Sequence, residues 1–209
     1  MSVTLYEIRL CLNCGLRYPL TENHPFGERC PNCLGTTEAV LTRQTTPEPA
    51  SHPIESDLQL EALLDNVRSA WNVGAIFRTA DGLGVSKLHL CGITPTPENE
   101  SVRKTSLGAE EAVAWEYSRN ALETAARLKA EGYSLIALEQ DERAIPIVGA
   151  QHAVPLRKVV LILGNEITGV DPGLLDLCDQ IVHIPMHGHK RSFNVEVAFG
   201  IAAFILAKI

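Results

Sequence analysis

From residue 58 to the end of the chain, short apolar runs alternate with stretches of helical periodicity, and few architectures accommodate that alternation. Strands are expected over residues 60–67, 87–91, 134–139, 158–163 and 180–185, and helices over 72–83, 119–131, 172–178 and 194–208. Such an alternation builds an α/β domain around a mostly parallel sheet. Asn72 stands where it could cap the first of these helices and Gly84 stands near its end, while Gly132 closes the second. The final helix is apolar on nearly every side. It therefore needs cover all round, from its own sheet and from a second subunit, with a buried core helix in a monomer as the alternative.

The last fifty residues concentrate the special backbone chemistry. Leu161-Ile162-Leu163 runs into Gly164-Asn165-Glu166 and then Gly169, and Ile184-Pro185-Met186 runs into Gly188, followed by Ser192-Phe193-Asn194. Apolar strands that end in glycine, proline and hydrogen-bonding residues present a ligand site at the carboxyl edge of a parallel sheet. Dinucleotide-binding, P-loop and α/β-hydrolase chains carry signatures that this chain lacks. Gly82-Leu83-Gly84 has no third glycine for a dinucleotide fingerprint, and neither a P-loop nor a GxSxG elbow is present. Ser192 lies close to His187 and His189, but local adjacency is poor evidence for a catalytic triad.

The N-terminal part is of another kind. Cys11-Leu-Asn-Cys14 and Cys30-Pro-Asn-Cys33 are separated by fifteen residues, the spacing of a four-cysteine zinc site. Gly15 and Gly35 follow the two pairs and would permit the tight turns. A pair of disulfides or a redox CxxC is the competing reading. No secretory signal is visible, which disfavours disulfides, and a redox motif is not normally duplicated. Four thiolates and one Zn²⁺ add −4 + 2 = −2 to the formal charge of −7, giving −9. Arg17, Tyr18, His24, Phe26 and Arg29 lie between the knuckles and could stack on bases, with a protein-contact or structural role as the alternative. Cys91 and Cys178 have no CxxC partner and read as small buried residues.

Residues 1–42 are thus expected to form a zinc-ribbon module, the proline-rich stretch 43–57 a stiff linker, and residues 58–209 the α/β domain. A hydrophobic fraction of 45% and a charged fraction of 21% are those of a globular protein. The segment from Val195 onward is short for a membrane span and is interrupted by Glu196 and Lys208, so a cytoplasmic protein is expected. The negative net charge argues against nonspecific nucleic-acid binding over the whole surface. Local attraction could come from Arg103-Lys104 or from the run His187-Gly-His189-Lys190-Arg191.

Three motifs, in order and with matching spacing, resemble those of the TrmH/SpoU RNA ribose 2′-O-methyltransferases of the SPOUT superfamily. They are Asn72-Val-Gly74-Ala-Ile-Phe-Arg78, the block Gly164-Asn165-Glu166 with Gly169, and Ile184-Pro-Met-x-Gly188 with Ser192-Phe-Asn194-Val. The segment Lys104-Thr-Ser-Leu-Gly108 also resembles family members, whereas the cysteine module lies outside the match. The resemblance implies a C-terminal trefoil knot, an exception to the rule against knotted chains. It implies S-adenosylmethionine held in that knot by Gly164, Ile184 and Phe193, with Leu138 at the preceding strand end. Phe193 departs from the family's usual leucine, a change that a backbone contact should survive. Arg78 is implied as the catalytic arginine, Ser192 and Asn194 as residues orienting it and the hydroxyl, Asn72 as its anchor, and Glu166 as a brace for the loop or the arginine. A homodimer acting on structured RNA, with tRNA placed ahead of rRNA, is implied as well. The other function classes are a noncatalytic RNA-binding protein on the same scaffold and an unrelated nucleotide-using α/β enzyme.

Overall fold

The computed structural model describes residues 5–21, 24, 27–45, 58–148 and 157–207. The chain divides into two compact units, 1–53 and 54–209. Most of the expected linker, and Phe26 of the cysteine module, lie outside the described residues.

The first unit is a three-stranded antiparallel sheet of β1 (Leu5–Cys11), β2 (Arg17–Thr21) and β3 (Thr37–Gln44), in the order β2-β1-β3. Arg43 and Gln44, placed in the linker on sequence, instead pair with Tyr6 and Leu5 at the end of β3. The sheet has little apolar interior. Its buried Arg9 donates from Nε to Thr37 Oγ1 at 2.8 Å and from Nη2 to the Thr37 carbonyl at 3.0 Å, stitching β1 to β3.

In the second unit seven parallel strands lie in the order β6-β5-β4-β9-β7-β10-β8. They are β4 (Gln59–Asp65), β5 (Lys87–Cys91), β6 (Ala114–Ser118), β7 (Ser134–Leu138), β8 (Ile145–Pro146), β9 (Lys158–Leu163) and β10 (Gln180–His183). The central strands β4, β9 and β7 are buried almost throughout, as near-continuous apolar runs are when both faces of a parallel sheet are covered. One face carries α1 (Ala70–Leu83) and α6 (Val195–Leu206), whose Phe77 and Phe199 are fully buried against Leu64, Leu161 and Leu163. The other carries α4 (Ala121–Ala130) and α5 (Pro172–Leu177), with Leu128 and Leu174 against Leu63, Leu135 and Ile162. The expected α/β sheet is present. The edge strands β6 and β8 and the helices α2 (Glu100–Ser106) and α3 (Ala109–Ala112) were not anticipated.

Local chemistry accounts for the ends of these elements, with one correction. Ser69, and not Asn72, caps α1: its Oγ accepts from the Asn72 N–H at 3.3 Å, which frees the Asn72 side chain. Gly84 closes the helix at φ 70°, the left-handed region that favours glycine. Gly74 lets α1 meet α2, because a Cβ there would lie 2.3 Å from the Val102 carbonyl oxygen. Asn194 does cap α6, accepting from the Glu196 N–H. No helix among the described residues is long and apolar enough to cross a membrane.

Candidate active site and cysteine centre

The carboxyl ends of β7, β9 and β10 are neighbours in register, Leu138 beside both Leu163 and Val182. Beyond them the chain opens a cavity of about 530 Å³, within the range of small-molecule and cofactor sites. Its walls include Leu138, Gly164, Ile184 and Phe193, together with Glu166, Ser192 and Asn194. Residues separated by more than fifty positions are thus brought to one hollow. Arg191 borders it, and the exposed run 187–191 leads away from it.

The turn after β9 explains the glycines. Asn165 and Gly169 exchange backbone hydrogen bonds at 3.0 and 2.9 Å, and the Asn165 Oδ1 accepts from the N–H groups of Ile167 and Thr168. A Cβ on Gly164 would stand 2.2 Å from the backbone of Gly169 and Val170, so only glycine fits. Glu139, also in the wall, accepts from the Val170 N–H at 2.9 Å and so joins β7 to this turn. Asn165 Nδ2 reaches the Asn66 carbonyl at 2.7 Å, tying the turn to the end of β4. Asn165 stands in the second motif without a role assigned from sequence, and Glu139 stands outside the motifs. The buried strand run ending at Glu139 was the available signal.

Glu166 carries the turn across to α1. Its carboxylate accepts from the N–H groups of Arg68 and Ser69, at 2.9 and 3.1 Å, and from the Asn72 side-chain amide at 2.9 Å. Burial alone would raise its pKa, but these donors, the Arg68 N–H foremost, hold the carboxyl below the usual range. The brace therefore grips the start of α1 and not the arginine. Arg78 lies two turns further along, exposed, outside the cavity wall, and without an ion pair or side-chain hydrogen bond among the described residues. Asn72 is likewise outside the wall and meets the site only through Glu166.

With this geometry in view, residues 59–204 match the SpoU rRNA methylase family. The chain belongs to that family. Among relatives of the SpoU family, a 23S rRNA (guanosine-2′-O-)-methyltransferase RlmB of Acinetobacter baylyi is 31% identical over 170 residues, covering 73% of this chain and 65% of the relative. A tRNA (guanosine(18)-2′-O)-methyltransferase of Aquifex aeolicus is 30% identical over 142 residues, covering 67% and 64%. The chain thus spans just under two thirds of these curated relatives. Of solved structures, an AdoMet-bound rRNA methyltransferase from Sinorhizobium meliloti superposes with a TM-score of 0.67 at 28% identity, covering 76% of this chain and 58% of that one. The A. aeolicus TrmH/SpoU tRNA modifying enzyme gives 0.63 at 27% identity, covering 72% and 74%. The SpoU match begins in β4, so the cysteine module lies outside it.

That module gathers Cys11, Cys14, Cys30 and Cys33, whose sulfurs all lie within 4.8 Å of one another. The Cys11–Cys33 and Cys14–Cys30 separations are 3.5 and 3.6 Å, and no disulfide joins them. Zn–S bonds of about 2.3 Å place tetrahedral sulfurs roughly 3.8 Å apart, so the donor set fits zinc. Both knuckles close alike: Gly15 N–H reaches the Cys11 carbonyl at 2.9 Å and Leu34 N–H the Cys30 carbonyl at 2.8 Å. In the second knuckle Leu34, at φ 58°, takes the left-handed conformation expected of Gly35. Gly35 instead makes room for the Asn13 side chain, which a Cβ would meet at 2.8 Å. Tyr18 is no stacking platform. It is buried, and its hydroxyl donates to the Arg29 carbonyl at 3.0 Å. Cys91 is fully buried and Cys178 half-buried, their thiols pushed up to about 12 and about 11 by desolvation.

Proposed function

We propose that this chain is an S-adenosylmethionine-dependent methyltransferase that methylates a ribose 2′-OH in structured RNA, tRNA ahead of rRNA. The observation that carries the reading is the single cavity that unites Leu138, Gly164, Ile184 and Phe193 with Ser192 and Asn194. Relatives named as rRNA and tRNA 2′-O-methyltransferases, and a cofactor-bound structural neighbour, support it.

The cavity suits the cofactor chemically. Leu138, Ile184 and Phe193 offer apolar cover for an adenine ring, backbone groups at Gly164 and Ile184 offer hydrogen bonds, and the Glu139 carboxylate offers a countercharge for a cation. S-adenosylmethionine supplies a methyl group already activated on a sulfonium. The protein then has mainly to align the hydroxyl and manage charge. Arg78 acts as a clamp on the ribose-phosphate and stabilises developing alkoxide, since a guanidinium scarcely deprotonates. Ser192 and Asn194 orient the hydroxyl and the arginine. Asn72 and Glu166 set the position of the helix that carries it.

Because Arg78 stands outside the wall of its own cavity, the catalytic unit is read as a homodimer in which each site is completed by the neighbouring copy. Val197, Ile201 and Phe204 support this reading: they follow one stripe of α6, with Val197 and Phe204 41% and 48% exposed. A trefoil knot closed by the segment after β9 belongs to the same proposal. It is supported by the strand order, with β9 between β4 and β7 and β10 beyond β7. The four cysteines hold a structural Zn²⁺, and the module adds contact area for RNA. The protein works in the cytoplasm.

Incubating the protein with labelled S-adenosylmethionine and unmodified tRNA and rRNA transcripts tests the reading. Label recovered as 2′-O-methylnucleoside is expected. RNA binding without transfer would favour the noncatalytic scaffold, and tight binding of NAD or ATP in its place would sink both.

A further inference from the structure

α1 presents more than Arg78 to its surroundings. Trp71 and Arg78 are seven residues apart, two helical turns, so they share one face of α1 and lie roughly 10 Å apart along its axis. Trp71 is 62% exposed, and its indole makes no hydrogen bond or ring contact among the described residues. Tryptophan is enriched at interfaces, where a partner covers its apolar ring and its N–H finds an acceptor. The backbone that presents it is rigid, because Glu166 takes up the N–H groups of Arg68 and Ser69 and the amide of Asn72 on either side. Arg68, in the same clasp, is exposed and makes no ion pair among the described residues.

We propose that Trp71 is a base-stacking platform for the RNA strand, holding a nucleotide that flanks the one whose ribose meets Arg78. The inference rests on the RNA methyltransferase reading and deepens it. An exposed indole between two unpaired guanidinium-bearing residues matches a single-stranded nucleotide, with a π face for the base and positive charge for the phosphates on both sides. Stacking tolerates any base, so Trp71 contributes affinity and register and leaves the choice of base to other groups. The clasp supplies the register: it fixes Trp71 to the same helix that carries Arg78, and both move with the Glu166 turn.

Three proteins test this: the unaltered chain, Trp71→Phe and Trp71→Ala, each titrated with a 12-nucleotide oligoadenylate and with unmodified tRNA transcripts. Tryptophan emission and RNA anisotropy are read together. RNA is expected to quench the unaltered protein, and Trp71→Phe to lose that quenching while keeping most of its affinity. Trp71→Ala should bind roughly tenfold more weakly. Calorimetric affinity for S-adenosylmethionine should be the same in all three, because Trp71 is not in the cavity wall. Unchanged RNA affinity in Trp71→Ala overturns the proposal. So does a change in sedimentation without a change in RNA binding, which would make the patch a contact between copies. If the unaltered protein binds neither probe while still binding S-adenosylmethionine, the RNA reading itself falls, and this inference with it.

Discussion

The carboxylate of Glu166 accepts a 2.9 Å hydrogen bond from the side-chain amide of Asn72, across ninety-four residues of chain. The two belong to different motifs, one on the turn after β9 and one on α1. Their contact, joined by the Arg68 and Ser69 N–H groups, makes the cavity and the helix that bears Arg78 one mechanical unit.

Replacing Glu166 with Gln removes the charge and turns one acceptor into a donor, leaving an N–H without its partner. A hydrogen bond to a charged group contributes about 1.5–3 kcal/mol. Thermal unfolding of the α/β unit is expected to shift down by a loss of that order, and methyl transfer to fall further than S-adenosylmethionine affinity. An unchanged melting temperature would show that the clasp does not hold α1.

Arg78→Ala is expected to abolish methyl transfer while leaving cofactor affinity largely intact, since the side chain lies outside the cavity wall. Single-turnover assays and calorimetry on the same preparation separate the two effects. Near-normal turnover would remove Arg78 from the mechanism.

At Gly164 even one methyl group has no space, the obstruction being backbone at 2.2 Å. Gly164→Ala should break the Asn165–Gly169 turn and weaken S-adenosylmethionine binding at least tenfold, while far-ultraviolet circular dichroism stays close to that of the parent. Wild-type affinity in a folded Gly164→Ala protein is the contrary result.

A buried ionic cluster on the α4 side of the sheet predicts acid sensitivity. The His89 ring lies between Glu61 Oε2 at 2.7 Å and Glu116 Oε1 at 2.8 Å, Lys87 and Arg127 also reach Glu116, and Tyr133 donates to Glu61. Burial opposes charge on both carboxylates, but Lys87 and His89 hold Glu116 down to about 2, and His89 and Tyr133 hold Glu61 below its ordinary value. A depressed carboxylate stabilises the fold above its unfolded value of 4.5, and that contribution is lost as pH falls toward about 2. Urea midpoints measured from pH 6 to pH 3 should decline, and Glu116→Gln should flatten the decline. A profile identical in the variant would show that the cluster does not carry it.

Stripping metal with a strong chelator should unfold the cysteine module, which has little apolar core, and leave the α/β unit folded. Removing residues 1–45 should weaken tRNA affinity without altering the melting of the remainder. Metal analysis showing no zinc in the purified protein would refute the first expectation. Unchanged RNA affinity after truncation would confine the module to a structural or protein-contact role.

Much of the site was legible along the chain because its parts are local. The Gly164 turn, the Asn194 cap and the two cysteine knuckles each depend on a few consecutive residues with special backbone or donor chemistry. The central strands were legible because burial on both faces demands unbroken apolar runs. The edges were not: β6 reads Ala-Trp-Glu-Tyr-Ser, and β8 is Ile145–Pro146. An edge strand needs cover on fewer sides, so its pattern is weak.

The order of residues along the chain specifies the kind of parts: a four-cysteine module, a parallel α/β sheet, and glycine turns at its carboxyl edge. How these parts meet is set by contacts made in the folded chain. Ser69 rather than Asn72 caps α1, and Glu166 grips Asn72 instead of Arg78. Arg78 and Trp71 share a face outside the cavity wall, and Tyr18 is buried, which favours the structural reading of that ring over base stacking. The Glu166 clasp and the place of Arg78 relative to the cavity depend on which strands lie side by side and in what register. Local periodicity carries no information about contacts between residues a hundred positions apart.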